Sequence, residues 1–160
     1  LLLLFTSCPE PVPAPYEFKD QPLQGMIGGE AWTFVSGTAV DEGNNGELTI
    51  KLYAVSPGGT GSPWASDAYV DAGDYVQIIG VSESQGIVSF ENVEYTVELW
   101  DDSAGEFIGC YYGAIDLQTI DAGGGQITGR IDARSVYDLS WTDNYINGNF
   151  TVAYDDDGAF

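Results

Sequence analysis

Four stretches of this sequence alternate apolar and polar side chains with a period of two, and none shows a helical period over three turns. Alternation of that kind puts successive side chains on opposite faces of an extended chain, one buried and one wetted. In ELTIKLYAV, Leu48, Ile50, Leu52 and Ala54 share one face, and Thr49, Lys51 and Tyr53 the other. NVEYTVELW sets Val93, Tyr95, Val97 and Leu99 against Glu94, Thr96 and Glu98. GQITGRIDA sets Ile127, Gly129 and Ile131 against Thr128, Arg130 and Asp132, and NGNFTVAY aligns Phe150, Val152 and Tyr154.

Further strand-like runs are GMIGGEAWTFVSGTAV, YVQIIGV, GIVSF and EFIGCYYGAIDL. YVQIIGV and GIVSF lack clean alternation, which is the pattern of strands buried on both faces. Glycine- and aspartate-rich clusters (DEGNNG, SPGGTGSP, DAG, SESQG, DDSAG, DAGGG) separate the runs as turns. With 160 residues and 44% hydrophobic content, the chain is long enough for a core of its own. These features predict an all-β fold: an antiparallel two-sheet β-sandwich of about eight strands, with a closed lipocalin-like β-barrel as the alternative. The expected organisation is a signal-peptide remnant over 1–8, a Pro-rich linker over 9–22 and one β domain over 23–160.

The first eight residues, LLLLFTSC, form a short apolar run followed by Thr6, Ser7 and Cys8. The run is too short to span a bilayer and reads as the end of an export signal. The order resembles the bacterial lipobox, in which an apolar stretch ends in small residues and an invariant Cys; Phe5 stands where Leu is usual. The resemblance implies a diacylglyceryl thioether on Cys8 and an exported, lipid-anchored protein at the outer membrane or cell surface. Pro9, Pro11, Pro13 and Pro15 follow, and proline at such density favours a stiff, extended spacer. Cys110 lies in the apolar run FIGCYY and reads as a buried free thiol; the alternative is a disulfide with Cys8.

Charge narrows the chemistry. Against 25 Asp+Glu stand 4 Lys+Arg, and there is no histidine. A net charge of −21 repels nucleic-acid backbones and anionic lipid headgroups, so membrane contact is expected through the anchor alone. Without histidine, Ser-His-Asp and Cys-His catalysis are excluded. Carboxylate acid–base chemistry and oxygen ligation of calcium remain.

The anchor-like Cys8, the spacer, the early run GGEAWTF and the late pair GQITGRIDA and YINGNFTVAY together resemble small exported lipoproteins of the Bacteroidota type, whose function is unknown. Those chains carry a late G-x-I/F-x-G strand followed by I-x-N/D-G-x-F, matched here by Gly125–Gly129 and Ile146–Phe150. The resemblance implies two neighbouring strands near the C-terminus and carries no catalytic residue.

The expected function is a surface-tethered, non-catalytic binding or structural domain, with a glycan or another surface protein as partner. A carboxylate-dependent hydrolase is the alternative. Four Trp and ten Tyr favour sugar recognition, since sugars stack on aromatic faces. Trp64, in a Gly/Pro-rich loop, is either a plug over one end of the fold or an exposed platform. Trp100, Trp141 and Tyr145 lie beside polar and acidic neighbours and are the other candidates. No resident cofactor is expected. The acidic turns nevertheless supply candidate calcium ligands in Asp41, Asn45, Glu47, Asp101 and Asp102, although none fits the EF-hand spacing. Replacing Cys8 by Ser is expected to move the protein from the membrane to the soluble fraction, because a hydroxyl cannot carry the thioether lipid. Partition of Cys8→Ser protein into detergent would remove the lipoprotein reading.

Overall fold

The computed structural model describes residues 16–41, 46–56, 73–84, 86–90, 96–121, 123, 125–135 and 144–155. They form strands β1 (Gln24–Ile27), β2 (Glu30–Thr33), β3 (Ser36–Asp41), β4 (Glu47–Tyr53), β5 (Tyr75–Ser82), β6 (Gly86–Ser89), β7 (Thr96–Asp101), β8 (Glu106–Cys110), β9 (Tyr112–Asp121), β10 (Gln126–Arg134) and β11 (Tyr145–Asp155). The domain is all-β, as the alternation required. The strands do not divide clearly into the two sheets of a sandwich. Nine strands follow one curled path, β6-β9-β10-β11-β3-β4-β5-β7-β8, and the β1–β2 hairpin branches from β11. Every pairing between these strands is antiparallel except β3 with β11, where Thr38 to Val40 run parallel to Ala153 to Asp155.

The curl has a covalent cause. Only Tyr111 separates β8, at one end of the path, from β9, next to the other end. β8 pairs with β7 and β9 pairs with β6, so the run 106–121 lies along β7 with its first half and along β6 with its second. One polypeptide thus ties β8, at one end of the path, to β9, next to the other end.

Buried side chains fill the inside of the curl: Leu48, Ile50 and Leu52 from β4, Val76 and Ile78 from β5, Val97 and Leu99 from β7, and Ile127, Ile131, Ile146, Phe150 and Val152 from β10 and β11. The four alternating runs are legible here wherever they are described. YVQIIGV departs from its expectation. Tyr75 and Gln77 are half-buried and Ile79 is exposed, while Val76 and Ile78 are buried. At Gly80, with φ of +78°, the register against β4 slips, and Val81 returns to the inside. A bulge therefore hid a one-sided strand. GIVSF also differs: Ile87 is exposed, because β6 pairs with β9 alone and lies at the end of the path.

The β1–β2 hairpin closes one end of the curl. Trp32 is buried there, and its indole Nε1 donates to the Asp74 carbonyl at 3.0 Å. The hairpin turns at Gly28, whose φ is +60°, and a Cβ there would collide with the Asp101 carboxylate on β7. Glycine is needed on both counts.

The two late glycine-based motifs do become neighbouring strands. β10 and β11 pair along their length with Gly129 opposite Phe150. A Cβ on Gly129 would stand 2.8 Å from the Phe150 ring, so the ring occupies the space that the missing side chain leaves. Phe150→Ala is accordingly expected to cost about 3–5 kcal/mol, the usual range for a truncated buried aromatic. Equilibrium urea denaturation measures it, and a loss under about 1 kcal/mol would show that the core refills this gap.

Candidate functional site

With Val76, Val97 and Leu99 turned inward, the outer face of β4, β5, β7 and β8 carries an aromatic row. The register places Tyr53 opposite Tyr75, Tyr75 opposite Trp100, and Trp100 opposite Phe107. Neighbouring ring centroids are 5.8, 6.1 and 4.8 Å apart. The rings tilt by 39° from Tyr53 to Tyr75, by 31° from Tyr75 to Trp100 and by 59° from Trp100 to Phe107. Phe107 meets Tyr75 edge-on at 87°. Cross-strand aromatic pairs stabilise a sheet by themselves. Exposure along the row grows toward the free edge: Tyr53 is buried, Tyr75 and Trp100 half-buried, and Phe107 44% exposed.

A polar row runs beside it. Lys51, Gln77, Glu98 and Gly109 are register partners across the same four strands. Gln77 Nε2 donates to Glu98 Oε2 at 3.5 Å. Burial, and then the charge of Glu98, push the Tyr75 hydroxyl above its ordinary pKa. Gly109 has no side chain, and a Cβ there would come within 2.8 Å of the Tyr111 hydroxyl, which therefore lies over it. Tyr111 is 70% exposed. A recess of about 290 Å³ opens among Phe90, Thr96, Glu98, Cys110 and Tyr111.

Of the residues expected to act, Trp100 stands in the aromatic row, and its indole donates to Asp102 Oδ1 at 3.4 Å. Tyr145 is on β11, opposite Met26 and Arg134, and takes no place in the row. Cys8, Asn45, Trp64 and Trp141 lie outside the described residues. The described members of the expected calcium set, Asp41, Glu47, Asp101 and Asp102, are not brought together. Asp41 and Glu47 flank the β3–β4 connection, whereas Asp101 follows Trp100, which aligns with Tyr53 at the far end of β4. Seven residues of β4 separate the two turns, roughly 20 Å at strand rise. Asp101 is also engaged locally: its Oδ1 accepts from Ala104 N at 3.0 Å and Ser103 Oγ at 2.8 Å, bonds that hold its pKa below the usual carboxylate value. Asp102 N donates to Asp74 Oδ1 at 2.9 Å. Among the described residues, no group of three His, Cys, Asp or Glu could hold a metal ion.

Tyr53, Tyr75, Phe107, Glu98 and Tyr111 were not singled out from sequence. The signal was present in part: alternation already put Tyr53 outside, and Trp100 falls on the outer parity of its strand. Pairing of distant strands was needed to see one row.

A second polar cluster lies on the outer face of β10 and β11. Segment 16–22, the last part of the expected linker, is docked there. Glu17 N donates to Asp132 Oδ2 at 2.7 Å, and Lys19 N to Asn147 Oδ1 at 2.9 Å. Asn147 Nδ2 donates back to the Glu17 carbonyl at 2.6 Å. Arg130 binds Asp116 at 2.8 Å and lies 4.5 Å from the centre of the Phe18 ring. Arg134 Nε stands 3.2 Å from Asp132 Oδ1 as an ion pair, although these two atoms do not meet hydrogen-bond geometry. Burial pushes the Asp132 carboxyl up to about pH 6, against the lowering effects of the Glu17 amide and Arg134. The buried Cys110 thiol is free and is pushed well above its ordinary range, first by burial and then by the charge of Asp132. It is a poor nucleophile.

No protein-family model, curated protein or solved structure matches the chain.

Asp132 gives the domain a pH dependence of known sign. Its folded pKa of about 6 lies above the ordinary carboxylate value, so the folded state holds the proton more tightly. The resulting stabilisation is complete below pH ~4 and is lost as pH rises through ~6, and its size is on the order of 3 kcal/mol. The stability difference between wild type and Asp132→Asn, measured by denaturation from pH 4 to 7, should titrate across that window. A pH-independent difference would show that Asp132 keeps an ordinary carboxylate pKa under the docked segment.

Proposed function

We propose that this chain is a non-catalytic, glycan-binding domain, held outside the cell at the outer membrane or cell surface by lipid on Cys8. The observation that carries the reading is the row Tyr75–Trp100–Phe107, set in register on the outer face and most open at its edge. Pyranose rings present apolar C–H faces that pack on aromatic rings, while their hydroxyls need hydrogen-bonding groups at the margin. Gln77 and Asp102 stand at that margin. The tilt from ring to ring suits a twisted oligosaccharide rather than a flat crystalline surface. A surface this acidic disfavours uronate and sulfated glycans.

A glycan array probed with the domain starting at Tyr16 tests the reading, followed by titration calorimetry on the best ligand. Trp100→Ala and Phe107→Ala should each weaken binding about tenfold or more, the equivalent of about 1.4 kcal/mol. Wild-type-like binding by the double variant, with an unchanged melting curve, would overturn the proposal.

A further inference from the structure

We infer that the recess between Glu98 and Tyr111 is a selectivity subsite for an amine-bearing sugar, the unacetylated 2-amino-2-deoxy residue of a cationic glycan. The inference rests on the glycan-binding reading and adds the class of sugar. The Glu98–Gly109 pair lies two residues along β7 and β8 from the Trp100–Phe107 pair, roughly 7 Å at strand rise. A sugar stacked on Trp100 and Phe107 therefore places its neighbour at the recess. A volume of about 290 Å³ suits one ring and not a longer segment.

The walls set the chemistry. Glu98 supplies the carboxylate. Gln77 occupies its Oε2 through a long bond of 3.5 Å, which leaves Oε1 for a ligand. Tyr111, 70% exposed, supplies an aromatic surface beside it, and an ammonium group is attracted to such a face as well as to the carboxylate. Phe90 and Cys110 are buried at the recess, and their apolar contact lowers the local dielectric and strengthens the charge interaction. The missing side chain at Gly109 lets Tyr111 lie across the strand and form this wall.

Long-range charge points the same way. The net charge is −21, and of the four cations Lys19, Arg130 and Arg134 gather on the β10–β11 side. Lys51 shares the polar row, but Gln77 on β5 stands between it and Glu98. A cationic oligosaccharide is drawn to this face, and a uronate is repelled.

The test uses three hexasaccharides by titration calorimetry at pH 6: β-1,4-linked glucosamine, its N-acetylated counterpart and the glucose hexamer. Wild-type protein should bind the glucosamine hexamer at least tenfold more tightly than either neutral one. In Glu98→Gln that ratio should fall close to one. Glu30→Gln, which removes the same charge from the exposed start of β2, should keep it. Equal or weaker binding of the glucosamine hexamer, persistence of the ratio in Glu98→Gln, or its loss in Glu30→Gln would each overturn the inference while leaving the glycan reading intact. Failure of all three hexamers to bind, together with a blank array, would overturn both.

Discussion

The passage of β8 into β9 through Tyr111 is the constraint on which the rest of the structure depends. β8, at one end of the hydrogen-bonded path, and β9, next to its other end, are one continuous chain. The path must therefore curl until β8 and β9 are within a single residue of each other. Curling gives an inside and an outside: alternate residues converge on a shared core, and the others are spread on a convex surface. The aliphatic core from β4, β5, β7, β10 and β11 is the consequence on one side. The aromatic row is the consequence on the other.

A curled sheet has open ends and exposed backbone, and other elements of this chain deal with them. The β1–β2 hairpin covers one end with Trp32 and anchors itself through Asp74 and the Asp101 side of β7. Segment 16–22 lies against β10 and β11, and Asp132 and Asn147, opposite each other in register, hold its backbone. These two buried polar side chains each meet main-chain groups that would otherwise be left without partners. The arrangement also accounts for where the cations lie. Arg130, Arg134 and Lys19 lie around the docked segment, so Lys51 is the one cation of the four that shares the face carrying Trp100 and Glu98.

Much of the fold was legible before any coordinates. Leu48, Ile50, Leu52, Val97, Leu99, Ile127 and Ile131 face inward as their alternation required, and the paired glycine motifs met as adjacent strands. The irregular runs were harder. Gly80 shifts the phase of β5 by one residue, and periodicity cannot distinguish such a bulge from burial on both sides. The docking of 16–22 was also hidden, because the segment has no sustained apolar alternation and its partners are more than a hundred residues away.

The sequence by itself determined the class of fold and the chemistry open to it. A period of two is a property of one strand and can be read locally, and the want of histidine together with a charge of −21 is a matter of composition. Only the tertiary structure decided which outward residues meet. Tyr53, Tyr75, Trp100 and Phe107 are separated by connections of different lengths, and their alignment is set by hydrogen-bond register across four strands. Register depends on the turns, the bulge at Gly80 and the closure through Tyr111 acting together. No single segment encodes it, so the row and the recess beside it become visible only when the chain is folded.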